Sequence, residues 1–254
     1  MKIPRPLLVY VSLLLIVVLA GACSSAQNSD TGPKAIVEEP TATPPPTETA
    51  APQSQGGEAQ AFFGEEFDNA LSGDWTQFLY YDAKVSDPEA VKVQTDNGKL
   101  VWNFDTKELD YYLFYKAFSY QDVKIETRYD NRGVNNAVVS LICRYNPTYG
   151  WYEFQVANNG LYNIYAMEML ENGVMRENRL ANGGSMAIKQ GKGINEYSAT
   201  CQGNELTLRI NGEKAAFVID QKYSLPEGQV GIAVSSLNVT PVIVEVDWFK
   251  VSEP

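Results

Sequence analysis

The chain contains no histidine. That absence excludes Ser/His and Cys/His nucleophilic pairs and every metal site that needs an imidazole ligand. Basic residues are also few, with 20 Lys and Arg against 31 Asp and Glu and a net charge of −11. An acidic surface without a basic stripe repels phosphate backbones, which excludes nucleic acid as a partner. Phosphate-loop patterns and long helical periods are missing too, so the sequence predicts a β fold without a recognisable catalytic centre.

The N-terminus reads as a secretory signal. Lys2 and Arg5 precede an apolar run over 7–20, and the small residues Ala20, Gly21 and Ala22 lead into Cys23. A basic head, a short hydrophobic stretch and a small-residue end are typical of signal peptides. The last residues resemble the bacterial lipobox, in which the cysteine sulfur is acylated and the cysteine becomes residue one. We therefore expect residues 1–22 to be a lipoprotein signal peptide and palmitate-type lipid on Cys23 to anchor the protein at the extracytoplasmic face of the cell membrane. The alternatives are an ordinary signal peptide or an uncleaved anchor helix.

A linker follows the predicted lipid site. Residues 23–60 are rich in Ser, Thr, Pro, Ala, Glu and Gln, including a run of three prolines at 44–46. Such a segment cannot bury enough apolar surface to order itself. We expect a disordered tether over 23–60 and one folded domain over 61–254.

The domain reads as an all-β structure. From residue 62 onward, β-prone runs alternate with turn residues every eight to twelve positions, which favours a two-sheet sandwich. Its central segment, 137–167, contains three such runs and predicts an antiparallel meander. Asn97-Gly98 and Asn211-Gly212 supply the backbone conformation that tight hairpins need. About a dozen strands are predicted, beginning at 62–68, 91–94, 99–104, 111–117 and 123–129 and continuing after the meander with 174–180, 197–201, 205–210, 215–219, 230–235 and 242–251.

Alternation along these strands separates an apolar face from a polar face dotted with aromatic residues. Polar parity selects Lys124, Glu126 and Arg128 in one strand and a larger set in the meander. We take this outer face as the candidate binding surface. Its candidate ligand-binding residues are Arg128, Arg144, Tyr149, Trp151, Glu153, Gln155 and Tyr165.

Two cysteines remain if Cys23 carries lipid. Cys143 and Cys201 both fall on apolar faces of predicted strands, and disulfides persist outside the cytoplasm. A Cys143–Cys201 disulfide is our prediction. The alternative is two buried free thiols, which pack as small hydrophobic groups.

Several short motifs occur in a familiar order. They include Glu65-Glu66-Phe67-Asp68, Ile142-Cys143-Arg144-Tyr145, Gly150-Trp151-Tyr152-Glu153-Phe154, Leu206-Thr207-Leu208-Arg209-Ile210-Asn211-Gly212 and Val246-Asp247-Trp248-Phe249-Lys250-Val251. The ordered set resembles the concanavalin A-like lectin/glucanase jelly roll, and within it the 3-keto-disaccharide hydrolase-like domain of bacterial lipoproteins. The resemblance implies two stacked antiparallel sheets, with Phe67-Asp68 beside Asp247–Phe249, and a sugar-related role outside the cytoplasm.

The resemblance does not supply a catalytic site. Laminarinase-type members carry a Glu-x-Asp-x-x-Glu strand, whereas the nearest string here, Glu245 to Lys250, ends in lysine, so we reject it. Glu126 and Glu153 could form an acid–base pair on neighbouring strands, but ion pairing with Lys124, Arg128 and Arg144 is the simpler interpretation. The superfamily also suggests a structural calcium ion at Asp68 or Asp247; no other cofactor is expected.

The leading hypothesis is a non-catalytic, lipid-anchored module that binds polysaccharide or cell-wall glycan, or another envelope component. Tyr145, Tyr149, Trp151 and Tyr165 are aromatic residues that could stack on sugar rings. The alternatives are a glycan-processing hydrolase of the 3-keto-disaccharide hydrolase-like family and a purely structural envelope protein.

Overall fold

The computed structural model describes residues 59–254, so the predicted signal peptide, Cys23 and most of the linker lie outside the described residues. The described part contains fifteen strands and one short 3₁₀ turn, Pro88–Ala90. Within it, no helix combines the length and the apolar character that a membrane span requires.

One sheet has eight strands. In spatial order these are β13 (Glu213–Ile219), β12 (Glu205–Ile210), β11 (Gly193–Gln202), β6 (Val123–Asn131), β15 (Val242–Ser252), β4 (Leu100–Phe104) and β3 (Val91–Thr95), with β1 (Phe63–Glu65) also beside β15. The other sheet has seven strands. Its order is β10 (Met175–Gly184), β9 (Leu161–Met169), β8 (Gly150–Ala157), β7 (Val138–Asn146), β14 (Gly228–Ser236), β5 (Leu109–Tyr120) and β2 (Trp75–Tyr81).

The core lies between the two sheets. Strands β6 and β7 show why, because alternate side chains such as Ile125, Tyr129 and Leu141 point inward and are fully buried. The predicted disulfide is confirmed: Cys143 on β7 is bonded to Cys201 on β11, so it joins the two layers through the core. The sandwich therefore fixes the relative position of both sheets and leaves each with one outward face.

Most of the predicted strands are confirmed, and the meander becomes β7, β8 and β9 at the centre of the seven-stranded sheet. Asn97 and Asn211 have φ values of 50° and 49°, as the two Asn-Gly hairpins require. The first and last strands do pair, but through Phe63–Glu65 and Phe249–Val251. Phe67 and Asp68 lie beyond the end of β1, so the pairing ends two residues earlier in the chain than the resemblance implied.

Strand β2 was not predicted. Its sequence, Trp75 to Tyr81, is rich in aromatic residues but has no clear alternation of polar and apolar positions, because it is an edge strand with mostly exposed or half-buried side chains. This strand brings Tyr80 to the outward face of the seven-stranded sheet, where the candidate site lies.

Candidate functional site

The outward face of the seven-stranded sheet carries a second apolar cluster, separate from the core. Its buried members come from the five inner strands of the sheet, and they are Tyr112, Phe114, Ile142, Trp151, Tyr165, Met167 and Ala233. Phe78, Tyr80, Tyr145, Met169 and Met175 pack against them. The rings of Phe114 and Tyr145 are stacked with centroids 3.7 Å apart. Aromatic residues predicted from alternation thus do share one face, but they pack on one another.

Glu153 lies at the centre of this face and is fully buried. Its Oε2 accepts hydrogen bonds from Trp151 Nε1 at 3.0 Å and Tyr112 Oη at 3.2 Å, and its Oε1 accepts one from Gln155 Nε2 at 3.1 Å. Three neutral donors satisfy a carboxylate that has left water. The alternation of β8 explains the arrangement, because Trp151, Glu153 and Gln155 are two residues apart and point to the same side.

The two edge strands of the sheet meet above this face. The backbone N–H of Met175, on β10, donates to Tyr80 Oη, on β2, at 3.2 Å, and Tyr112 Oη lies 3.6 Å from Met175 Sδ. Because β2 and β10 are at opposite edges of the sheet, this contact requires the sheet to curve over its outward face. The curvature explains why Trp151 and Tyr112 are each only 1% exposed although they point away from the core.

An open cleft of about 470 Å³ adjoins this covered part. Its wall includes Tyr80, Asp110, Gln155, Glu177 and Ser235. The volume falls within the range of about 300–1,000 Å³ in which small-molecule sites are found. Gln155 connects the two parts, since it lines the cleft and donates to the buried Glu153.

The cleft is electrostatically unusual. Burial, together with the charges of Glu153, Glu177 and Glu108, raises the pKa of the Asp110 carboxyl to about 7, although the nearby Ser235 hydroxyl acts in the opposite direction. Burial also raises the pKa of Glu177, with a further contribution from Glu153 and an opposing one from Arg179. Carboxyl groups with such raised pKa values are characteristic of functional sites.

The structure brings together four of the seven candidate ligand-binding residues. Trp151, Glu153, Gln155 and Tyr165 lie on one face, whereas Tyr149 is 60% exposed in the turn between β7 and β8. Sequence reasoning missed Tyr80, Asp110, Glu177 and Ser235. Asp110 had a detectable signal, because it alternates with Tyr112 and Phe114 along β5.

Arg144 does not lie on the outward face. A bulge after Cys143 and a left-handed φ of 58° interrupt the alternation, and the side chain is 3% exposed. Its guanidinium donates to the backbone carbonyls of Gln121, Gly203 and Leu225 at 2.7–2.9 Å. Arg144, a candidate ligand-binding residue, therefore has a structural role and holds three loops together.

Arg128 and Glu126 belong to the other sheet. Both lie on β6 of the eight-stranded sheet, so Glu126 and Glu153 are not on neighbouring strands and the alternative of an acid–base pair between them is wrong. Glu126 forms an ion pair with Lys124 at 2.7 Å, and Arg128 forms one with Asp247 at 3.3 Å. Alternation alone identified outward positions correctly here, but it could not assign the strands to sheets.

The calcium ligands suggested by the resemblance lie in different surroundings. Asp247 is 3.4 Å from Lys99 through Oδ1 and 3.3 Å from Arg128 through Oδ2, so both of its oxygens face cations. Asp68 is exposed beyond the end of β1. Among residues 59–254, no three His, Cys, Asp or Glu side chains are grouped closely enough to hold a metal ion.

No protein-family model matches the chain, and no curated protein matches it in sequence. Solved structures do match. The β-glucanase of Bacillus licheniformis has a TM-score of 0.54 at 15% identity over 78% of this chain and 100% of the enzyme. A family 16 glycoside hydrolase from Bacteroides ovatus, in complex with a G4G4G3G product, has a TM-score of 0.55 at 12% identity over 75% and 99%. A β-1,3-glucanase from Mycobacterium marinum has a TM-score of 0.51 at 13% identity over 77% and 100%. These likenesses confirm the predicted fold, an all-β concanavalin A-like jelly roll.

Proposed function

We propose that this protein is a glycan-binding module at the extracytoplasmic surface of a cell membrane, and that the cleft beside Gln155 and Asp110 is its binding site. The observation that carries the proposal is an open cleft of about 470 Å³ on the outward sheet face, with polar groups converging on it beside an aromatic cluster. Sugar ligands need this combination, because hydroxyl groups seek hydrogen bonds and ring C–H faces seek apolar contact. The glucanases with the same fold are named for activity on glucans, which supports a glycan as the ligand.

A binding role fits the covered part of the face better than catalysis does. The strand β8 offers a single carboxylate, Glu153, at the positions that share its outward parity; the others are Trp151, Gln155 and Ala157. Glu153 is already engaged by three donors and shielded by the Tyr80–Met175 contact. We therefore infer a structural role for Glu153, in which its carboxylate positions Gln155 at the floor of the cleft.

The membrane anchor is proposed from the sequence. The small residues before Cys23 support lipid attachment there, and several acyl chains hold a protein at a membrane because each buried methylene contributes about 0.8 kcal/mol. In the native host, Cys23→Ala should move the protein from the membrane fraction to the soluble fraction. Retention of that variant in the membrane would refute the lipid anchor.

Glycan binding can be tested with the purified full-length protein. Titration calorimetry with soluble mixed-linkage β-glucan and with cellotetraose should give saturable binding. Gln155→Ala should weaken it about tenfold, because loss of a hydrogen bond to a ligand costs about 1–2 kcal/mol. Glu126→Gln, on the other sheet, is the matched control and should leave the affinity unchanged. Binding that is equally weakened by both variants would place the site elsewhere.

A second candidate is glycan hydrolysis of the 3-keto-disaccharide hydrolase-like type. The observation in its favour is Asp110, whose pKa is raised to about 7 and which therefore could donate a proton near neutral pH beside Glu177. Incubation of the same glycans with the protein should then release reducing ends, and Asp110→Asn should abolish that release. Binding without any product would favour the module over the enzyme.

A further inference from the structure

The wall of the cleft carries several acidic residues and no basic ones. Four of its lining residues are Asp82, Glu108, Asp110 and Glu177, and none of the lining residues is Lys or Arg. Within residues 59–254, no ion pair involves any of these four carboxylates. Arg179, which lies over the Tyr165 ring, lowers the pKa of Glu177 without forming an ion pair with it. Because no cation on the wall offsets these acids, the cleft favours a positively charged group.

Buried hydroxyl groups of the same face lack satisfying partners. Ser235 lines the cleft and is 2% exposed, and Ser140 is completely buried between Gln155 and Ala233. Ser235 Oγ lies close enough to Asp110 to affect its pKa, yet neither hydroxyl makes a hydrogen bond of normal geometry. Leaving a buried polar group without a hydrogen-bond partner is unfavourable. A ligand that offers a hydrogen-bond partner at Ser235 would recover part of that cost.

The rest of the wall suits a sugar ring. Tyr80 and Tyr81 border the cleft, and Gln155 projects an amide into it. An aromatic border, an amide and a free hydroxyl can recognise a ring with several hydroxyl groups, and the carboxylates additionally favour a positive charge on that ring.

We propose that the cleft selects glycans that carry free, protonated amino groups, such as chains of glucosamine without N-acetyl groups. This inference rests on the proposed glycan binding and specifies the class of glycan. An ammonium group among carboxylates gains charge-assisted hydrogen bonds that a hydroxyl or an acetamide group cannot make. The ionised form of Asp110 is unfavourable here, because the group is buried beside other acids, and its pKa is therefore raised. A bound ammonium group would favour that ionised form.

Three tetrasaccharides with the same β-1,4 linkage provide the test: a glucosamine tetramer, an N-acetylglucosamine tetramer and cellotetraose. We expect the full-length protein to bind the glucosamine tetramer at least about tenfold more tightly than the other two at about pH 6.5 and low salt. The preference should shrink as NaCl is raised, since salt screens the exposed part of the interaction. Glu177→Gln should weaken binding of the glucosamine tetramer about fivefold and leave the neutral tetramers unaffected, whereas Glu126→Gln should change neither.

The outcomes separate this inference from the proposed function. If the neutral tetramers bind as tightly as the charged one, the selection for amino groups is wrong and glycan binding stands. If a tetralysine peptide binds as tightly as the glucosamine tetramer, charge alone is recognised and the inference is overturned. If none of the three tetramers binds but mixed-linkage β-glucan does, the inference fails alone. If no glycan binds, both proposals fail.

Discussion

The outward faces of the two sheets look alike in sequence and differ in chemistry. On the eight-stranded sheet the acids are paired with cations: Lys99 contacts Glu245 at 2.9 Å, and Arg128 contacts Asp247 at 3.3 Å. On the seven-stranded sheet Glu153 accepts hydrogen bonds from neutral donors only, and Asp110 has a pKa raised to about 7. A solvated face neutralises its charges with flexible ion pairs, whereas a face that curves into a cleft leaves acids near one another and partly out of water.

Two structural features distinguish the face with the cleft from the solvated face. Outward parity identifies both faces equally, so it cannot separate a solvated surface from a binding surface. The distinguishing features are curvature, visible in the Tyr80–Met175 contact, and acids without cationic partners.

Glu153→Ala should destabilise the fold by about 3 kcal/mol, because it removes the acceptor for Tyr112, Trp151 and Gln155 inside a buried cluster. Glu126→Ala on the other face should cost less than about 1 kcal/mol, since it removes a half-exposed ion pair. Urea unfolding of both variants measures the difference. Equal losses of stability would erase the contrast between the faces.

Asp110→Asn should instead increase stability at alkaline pH. The folded-state pKa is about 7, above the ordinary 3.8, so the folded protein binds more protons than the unfolded chain between those values. The contribution of Asp110 to stability is therefore fully present below about pH 4 and is lost as pH rises through 7. At pH 8 the variant should gain about 2 kcal/mol, a few degrees in Tm, because the residue is partly buried.

The check on Asp110 is the pH dependence of that gain. Thermal unfolding at about pH 4 should show the variant and the wild type to be nearly equal, since both are then uncharged at this position. Asp247→Asn is the control on the other face and should lose a few tenths of a kcal/mol with its partners Lys99 and Arg128. A gain that is the same at both pH values would mean that the charge of Asp110 is not its source.

The fold was more predictable from the sequence than the site was. Strands such as 205–210 and the Asn-Gly turns follow from local rules, since alternation and backbone preference are properties of a few neighbouring residues. Partner strands are non-local: nothing near Glu126 or Glu153 in the sequence says that they belong to different sheets. The inward direction of Arg144 was not predictable for another reason. A single bulge reverses the direction of every side chain that alternation assigns after it.

The cleft itself depends on residues that are distant in the sequence. Tyr80, Asp110, Glu177 and Ser235 come from four strands, β2, β5, β10 and β14, that meet only when the sheet has formed and curved. The outward parity of Glu153 was predictable from the sequence, but its burial was not. That burial depends on the Tyr80–Met175 contact, and β2, which carries Tyr80, was not predicted as a strand. The outward face of the seven-stranded sheet, expected to be open, is therefore partly covered by the curved sheet and has a cleft beside the covered part.

Tyr80→Phe tests the contact between the two edge strands. It should lower the free energy of unfolding by about 1 kcal/mol or less, because it removes one hydroxyl that accepts from Met175 N–H. Tryptophan fluorescence reports specifically on this contact. Loosening of the edge contact should make Trp151, now 1% exposed, more accessible to acrylamide. Tyr81→Phe, whose side chain is 39% exposed, is the neighbouring control. Unchanged quenching in Tyr80→Phe would show that packing rather than this hydrogen bond holds the edges together.

The smallest effect concerns the ion pairs of the eight-stranded sheet. The hydrogen bond to Glu245 raises the pKa of Lys99, so its pairing stabilises the fold below the ordinary Lys pKa and is lost as pH rises beyond the folded value. Because these side chains are partly exposed, Lys99→Ala should cost about 0.5 kcal/mol in low salt. The cost should fall toward zero in about 1 M NaCl, where screening is nearly complete at these distances. By contrast, the cost of Glu153→Ala should persist in that salt, because its hydrogen bonds are buried; a loss that disappears equally for both would mean that the covered face is as open to ions as the other.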